Sequence, residues 1–259
     1  MIKIHILASG STGNAALFQF GPTSILIDAG ISARRIAAGL KTAGSDVQQL
    51  DAVLLTHEHS DHIKGVEVLA RRHQVPVYAR IKTWECLPFQ DNIPLACCQV
   101  LNDAMNINSV EIECFPICHD AIDPVGFTFR YRGRKLVFAT DIGTVTGQVI
   151  AAFSDADAAV LEANHDREML AKGPYPRFLK ERISGGQGHL SNDHSARILA
   201  QSRLKPGLRV FLAHLSQQNN DPDLAENTVA RYLTQQGCDV GREIILYQTY
   251  PQNVVKCWL

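Results

Sequence analysis

Several features that define large protein classes are missing from this sequence of 259 residues. It contains no run of 18 apolar residues, so we expect no membrane-spanning helix. Its seven cysteines are odd in number and include no Cys-x-x-Cys pair, which argues against a disulfide framework and against a thiolate zinc site. Met1 to His5 enters a predicted strand without an apolar leader segment. We therefore expect a protein of the reducing cytoplasm.

The sequence also lacks an overall excess of positive charge. Its formal net charge is −1 at pH 7, and its 20% of charged residues and 46% of hydrophobic residues are ordinary for a globular protein. Basic residues are nevertheless concentrated in one segment, 167–209, which contains nine of them and three acidic residues. Such a segment is a candidate phosphate-facing surface, and a solvated helical face explains it equally well.

No internal repeat, low-complexity run or linker divides the chain, so we predict one domain over residues 1–259. Apolar runs and amphipathic stretches alternate along most of it, which favours an α/β fold. The predicted strands are residues 3–7, 15–20, 24–28, 52–55, 75–79, 110–115, 126–131, 135–140, 158–161, 208–213 and, as the last, 243–247. The predicted helices are residues 33–43, 62–73, 83–87, 178–183, 192–202 and 222–235, and the rest of 81–108 is expected to be irregular.

The densest cluster of metal-binding side chains lies between strand 52–55 and helix 62–73. Imidazole and carboxylate groups suit zinc, manganese and iron. His57 and His59 point the same way on an extended segment and can hold one ion, whereas Asp61 and His62 turn into the helix and can hold a second. A solvated histidine-rich loop is the alternative, but a position directly after a buried strand disfavours it.

Three more candidate ligands also follow predicted strands. His119 can complete the first ion's ligands, and His214 stands where a further ligand is expected. The carboxylate of Asp141 can give one oxygen to each of two cations. Paired metals about 3.5–4 Å apart are a common device for hydrolysing phosphoesters.

Short motifs follow one another in a characteristic order around these residues. They are Ser9–Asn14, His57–Gly65, His119–Asp120, Thr140–Gly143, Glu162–Asp166 and Gly188–Ser191. Together they resemble the metallo-β-lactamase superfamily, and within it the YycJ/WalJ-like subfamily of DNA exonucleases. The resemblance runs from about residue 3 to about residue 250. It implies a four-layer αββα sandwich with the site at the strand ends.

The resemblance also implies a dinuclear site of two divalent ions, zinc, manganese or iron, with a bridging hydroxide as the nucleophile. The ligands of the first ion would be His57, His59 and His119, and those of the second would be Asp61, His62 and His214, with Asp141 bridging the two. Asp28 would orient the metal loop, the segment from Thr56 to His62, without being a ligand. Class B β-lactamases have cysteine where this chain has Asp141, which argues against lactam hydrolysis.

The leaving group needs a proton, and Glu162, His165 and His189 are the candidate catalytic groups for it. Glu162 and His189 resemble a glutamate–histidine couple of tRNA-processing relatives. We therefore expect His189 to act as general acid or phosphate binder and Glu162 to orient it. His165 fits a buried histidine with a backbone partner at least as well as a catalytic role.

Two groups of residues are candidates for binding phosphate. The first is a glycine–serine loop that has no Walker lysine, and the second belongs to the basic segment. The candidates are Ser9, Ser11, Asn14, Lys180 and Arg182.

These residues predict a metal-dependent phosphodiesterase that acts on nucleic acid, and the resemblance makes DNA the expected partner. An RNA-processing nuclease is the first alternative, but the long insertion of its known branches finds no room between the motifs. A thioester or lactone hydrolase of the glyoxalase type usually adds a C-terminal helical domain, and only a short tail follows residue 250. A metal-binding scaffold without catalysis is disfavoured because all seven candidate ligands are present.

Overall fold

Two β-sheets organise the chain, and a computed structural model describes all of residues 1–259. The chain divides into a first unit, residues 1–113, 121–124 and 250–259, and a second unit, residues 114–120 and 125–249. The single domain expected from the sequence therefore stays a prediction. None of the helices is long and apolar enough to cross a membrane.

The helices and strands have the following bounds. The strands are β1 (Ile2–Ala8), β2 (Ala15–Phe20), β3 (Thr23–Ile27), β4 (Ala52–Leu54), β5 (Val77–Ala79), β6 (Cys98–Val100), β7 (Ala104–Ile107), β8 (Val110–Pro116), β9 (Val125–Tyr131), β10 (Arg134–Ala139), β11 (Ala158–Glu162), β12 (Leu208–Ala213), β13 (Ile244–Gln248) and β14 (Val255–Trp258). The helices are α1 (Ala33–Thr42), α2 (Ser60–Ile63), α3 (Val66–His73), α4 (Ile81–Cys86), α5 (Gly147–Phe153), α6 (Arg167–Lys172), α7 (Arg177–Ser184), α8 (Asn192–Gln201) and α9 (Pro222–Gln235).

The sheet of the first unit has the strand order β14–β1–β2–β3–β4–β5–β6. Strands β3 and β4 run parallel and are buried throughout, and the unbroken apolar sequence of β4 predicts its burial. The amphipathic helices α1 and α3 contribute Ile36, Leu40 and Leu69 to the core beside this sheet. Because β3 and β4 are parallel, Asp28 and the metal loop from Thr56 leave the sheet at the same edge.

The helix predicted at 62–73 is wrong in one respect, because it is two helices. Helix α2 begins at Ser60, and α3 begins only at Val66. Between them the backbone N–H of Gly65 donates to the carbonyl of Ala29 at 2.7 Å. A side chain at Gly65 would collide with the carbonyl of Ile31. This close approach of two chain segments turns the helix.

The second sheet has the strand order β13–β12–β11–β10–β9–β8–β7. Strand β8 begins in the first unit, where it pairs with β7, and ends in the second. Strands β10 to β13 run parallel, and helices α5, α8 and α9 bury apolar side chains in the core of this unit. Asp141, Glu162 and His214 lie at the carboxyl ends of β10, β11 and β12, where open parallel sheets place their functional groups.

Several short elements of the structure are not predicted by the sequence. Residues 81–108, expected to be largely irregular, contain β6 and β7, and β14 follows the strand expected to be the last. Helices α5 and α6 were not predicted either. These pieces are three to seven residues long. Such lengths are too short to establish a hydrophobic period, and tertiary pairing, such as that of β14 with β1, fixes their structure.

Candidate metal centre

The metal loop of the first unit is held by a buried carboxylate, that of Asp28. Its Oδ2 atom lies 2.7 Å from Nδ1 of His62, and its Oδ1 atom accepts the backbone N–H of Thr56 at 2.9 Å. Asp28 is fully buried. Metal-ligating histidines usually donate their second N–H to such a group, which fixes the ring and its tautomer. Nε2 of His62 is therefore the nitrogen that a metal ion would take.

The remaining residues of this loop lie close to His62. Its Nε2 atom lies 3.5 Å from Oδ2 of Asp61, and the rings of His57 and His59 have centroids 4.6 Å apart. Nδ1 of His57 lies 2.9 Å from the Thr56 hydroxyl, so its Nε2 is the nitrogen turned to a ligand. The first unit thus gathers three imidazoles and a carboxylate, a donor set that fits zinc, manganese or iron.

Asn14, a candidate for phosphate binding, braces this loop. Its side-chain nitrogen lies 3.2 Å from Nε2 of His62, and its backbone N–H donates to the carbonyl of Asp61 at 2.8 Å. Gly30 also packs closely against this loop, because a Cβ there would overlap the Asp61 carbonyl. Of the other two loop candidates, Ser9 is buried and Ser11 is exposed.

The second unit gathers its candidate ligands around Asp141. The Oδ1 atom of Asp141 lies 3.3 Å from Nδ1 of His214, 3.6 Å from Nδ1 of His189 and 3.8 Å from Nε2 of His119. Nδ1 of His119 lies 3.1 Å from the carbonyl of Gly188, so Nε2 is the nitrogen that a metal ion would take. Burial lowers the pKa of His119, and the neighbouring Asp141 carboxylate acts in the opposite direction.

Glu162 is the buried centre of this cluster in the second unit. Its Oε1 atom lies 2.8 Å from Nδ1 of His189 and 2.9 Å from Nδ1 of His214. Its Oε2 atom accepts the backbone N–H groups of Ile142 and Leu190 at 2.7 and 3.0 Å. Burial alone would raise the pKa of Glu162, but the two imidazoles outweigh it and hold the pKa well below its usual range. The sequence predicts that Glu162 pairs with His189, and the structure adds its contact with His214.

Three residues of the site adopt the left-handed backbone conformation. Asp28, Asp141 and His214 have φ angles of 57°, 60° and 56°. Asp28 and His214 directly follow β3 and β12, and Asp141 lies two residues beyond the end of β10. Residues other than glycine rarely adopt this conformation, and it costs on the order of 1–3 kcal/mol where it is strained. Its recurrence at three candidate site residues is typical of functional centres.

The other sequence candidates lie nearby in the second unit. His165 is 3% exposed, burial lowers its pKa to about 4, and its Nδ1 atom has no hydrogen-bond partner. Nε of Arg182 lies 2.6 Å from Oδ2 of Asp120, and Nζ of Lys180 donates to the carbonyl of Ala171 at 2.7 Å. The roles predicted for these residues stay predictions.

Comparison with known proteins decides the family. The beta-lactamase superfamily domain matches residues 23–215. The chain is 37% identical over 258 residues to exodeoxyribonuclease YycJ of Bacillus anthracis, covering 98% of each protein. It is 35% identical over 256 residues to exodeoxyribonuclease WalJ of Streptococcus pneumoniae, covering 97% of this chain and 95% of that protein.

The chain belongs to the metallo-β-lactamase superfamily, in its YycJ/WalJ subfamily. The crystal structure of the metallo-β-lactamase fold protein YhfI from Bacillus subtilis superposes with a TM-score of 0.74 at 16% identity, covering 99% of both chains. The family, the metallo-β-lactamase fold and the class of metal-dependent hydrolase predicted from the sequence are thereby confirmed.

Proposed function

We propose that this metallo-β-lactamase superfamily member is a DNA exonuclease that hydrolyses phosphodiester bonds at a site of two divalent ions. The observation that carries the proposal is its similarity, over nearly the whole chain, to two proteins named exodeoxyribonucleases. The donor sets of the two units support it, because each offers imidazole and carboxylate groups held by buried partners.

The proposed ligands are the seven residues predicted from the sequence. One ion would be held by His57, His59 and His119, the other by Asp61, His62 and His214, and Asp141 would serve both. When bound, two such ions supply a hydroxide nucleophile near neutral pH and stabilise the negative charge that develops on the phosphate.

The chain's own residues supply the proton for the leaving oxygen. His189 holds a proton on Nδ1 against Glu162, so its Nε2 atom is the one that faces a substrate. In its charged form His189 donates the Nε2 proton to the leaving oxygen and returns to the neutral form. Glu162 is fixed by two backbone N–H groups, stabilises the charged ring and orients it before the transfer.

A substrate panel tests the proposal. Protein loaded with Mn²⁺ or Zn²⁺ is incubated with linear duplex DNA, covalently closed circular DNA, RNA of the same sequence, and a thioester. We expect mononucleotides from linear DNA, little attack on the closed circle, and slower attack on RNA. Cleavage of RNA with DNA left intact would overturn the substrate, and hydrolysis of the thioester alone would overturn the reaction class.

The variant Asp141→Ala controls for a contaminating nuclease. The substitution removes the carboxylate that the proposal assigns to both ions, so mononucleotide release should fall to background while the fold survives. Equal release by the parent and Asp141→Ala would assign the activity to another protein in the preparation.

A further inference from the structure

A pocket of about 400 Å³ opens beside His189 within the second unit. It is walled by α6, by one face of α7 and by the start of α8. Its volume is in the range of sites that bind small organic ligands. The side chains that give it its chemistry are His165, Arg167, Arg177, Lys180, His189 and His194.

Helix α7 turns a polar face to this pocket. Arg177, Lys180, Glu181 and Ser184 line it, and their spacing of three, four and seven residues places them on one side of the helix. None of the residues of α7 is buried in the core. The helix therefore contributes little apolar packing and presents its charged face to whatever enters the pocket.

The pocket carries an excess of positive charge. Arg177 is neutralised by Glu181, whose Oε1 atom lies 2.6 Å from its Nε. Lys180, by contrast, has the carbonyl of Ala171 as its hydrogen-bond partner and no carboxylate within ion-pair distance. Arg167 bonds the Ser191 hydroxyl at 3.3 Å and has its nearest carboxylate oxygen, that of Asp193, 3.7 Å away.

A second observation also indicates a missing ligand. His165 lines the pocket and is 3% exposed, yet its Nδ1 atom is buried without a hydrogen-bond partner. Buried polar atoms are almost always paired, so an orphaned one beside a cavity points to a bound group. A ligand with negative charge and oxygen atoms matches the excess positive charge of this lining and the N–H that an imidazole offers.

We propose that this pocket binds the terminal nucleotide of a DNA strand through a phosphomonoester group. Lys180 and Arg167 hold the phosphate, and Leu170 provides apolar surface for the sugar and base. Because His189 lines the same pocket, the phosphodiester next to the bound nucleotide lies at the proposed proton donor. The inference rests on the proposed exonuclease function and gives it a means of selecting strand ends. Either a 5′ or a 3′ phosphate has the required chemistry.

Calorimetric titration of the metal-loaded protein tests the pocket without DNA hydrolysis. The probes are thymidine 5′-monophosphate, thymidine 3′-monophosphate and thymidine. The parent should bind one monophosphate at least about tenfold more tightly than thymidine, a difference of ~1.4 kcal/mol. Lys180→Gln should lose most of this roughly tenfold preference for the monophosphate, and Lys180→Arg should keep most of it.

Lys172→Gln is the matched control, because Lys172 is an exposed lysine of α6 that does not line the pocket. It should bind all three probes as the parent does. Equal affinity of the parent and Lys180→Gln for both monophosphates would overturn the inference, since the phosphate would then be held elsewhere. Equal affinity of the parent for the monophosphates and thymidine would overturn it too.

Duplexes of one sequence, with a phosphate or a hydroxyl at each 5′ or 3′ end, test the link to exonuclease action and distinguish the two ends. The parent should degrade one phosphorylated end about tenfold faster at low substrate concentration, and Lys180→Gln should lose this preference mainly through KM. Equal degradation rates for phosphate and hydroxyl ends would overturn the proposed role of the pocket and leave the exonuclease proposal intact. No degradation of any duplex would contradict the exonuclease proposal, while the titrations still decide the pocket.

Discussion

Glu162 and His214 share a hydrogen bond of 2.9 Å between two buried side chains that are 52 residues apart in the chain. The same Oε1 atom also contacts His189 at 2.8 Å. One carboxylate therefore orients a proposed metal ligand and the proposed proton donor. Its loss should damage metal binding and proton transfer together.

The variant Glu162→Gln tests this shared role. The amide keeps the shape of the side chain but has no negative charge. Its NH2 group cannot accept the hydrogen bonds that one of the two carboxylate oxygens accepts in the parent. We expect kcat for DNA hydrolysis to fall by about 10²–10⁴-fold. We also expect metal affinity to fall by about 10–100-fold. Glu168→Gln, on the exposed surface of α6, is the matched control and should change neither quantity. If Glu162→Gln bound metal as tightly as the parent, Glu162 would have a role in orienting His189 but none in metal binding through His214.

Asp28→Asn tests the buried contact with His62. Asparagine tolerates the left-handed conformation of this position, so the variant removes the charge and leaves the backbone unstrained. We expect metal affinity to fall by about 10–100-fold while the thermal midpoint of the metal-free protein changes little. Competition with a chromogenic chelator measures the affinity. An unchanged dissociation constant would mean that the metal loop orients His62 without Asp28.

His5 should make the protein sensitive to acid. Burial, and then the charges of Lys3 and Lys256, lower the pKa of His5 from 6.5 to about 4. The folded state therefore binds fewer protons than the unfolded state between these values, and stability falls as the pH falls from about 6.5 to about 4. Between pH 7 and pH 4.5 the free energy of unfolding should fall in both proteins. The fall should be about 1–3 kcal/mol smaller in His5→Leu than in the parent.

Urea denaturation at the two pH values measures this difference. His73→Gln, a replacement at the exposed end of α3, is the control and should lose as much stability as the parent. The same loss of stability in the parent and His5→Leu would assign the acid sensitivity to other groups.

The basic segment should make DNA binding depend on salt. Contacts between cations and phosphates release counterions, with a slope of log affinity against log salt near −0.9 per neutralised phosphate on duplex DNA. Replacing Lys180 and Arg182 together by glutamine should flatten this slope by up to about two contacts' worth and weaken binding evenly across sequences. Lys41→Gln, on α1 of the first unit, should leave the slope unchanged. If the double variant and the parent had equal slopes, the basic segment would be only a solvated helical face.

Much of the fold could be predicted because long apolar runs and caps are local signals. Residues 15–20 and 208–213 are strands with the predicted bounds, and Pro222 begins α9 as predicted. The candidate ligands could be predicted for the same reason, since each follows a strand that its own local sequence predicts.

The features that were missed depend on contacts between distant parts of the chain. No local pattern reveals that Glu162 reaches His214, or that Gly65 must pass close to Ile31 and so ends a helix. The left-handed conformations of Asp141 and His214 have no sequence signal either, because the surrounding structure imposes them. Strands as short as β6 and β14 exist through pairing with their neighbours.

The number of ions at which activity begins tests the central claim most directly. Metal-free protein is titrated with Mn²⁺, and bound ions per chain and mononucleotide release from linear duplex DNA are measured at every point. The proposed dinuclear site predicts that release rises as the second ion binds and levels off at two ions per chain. Full activity at one ion per chain, or saturation at one ion with no activity, would contradict it.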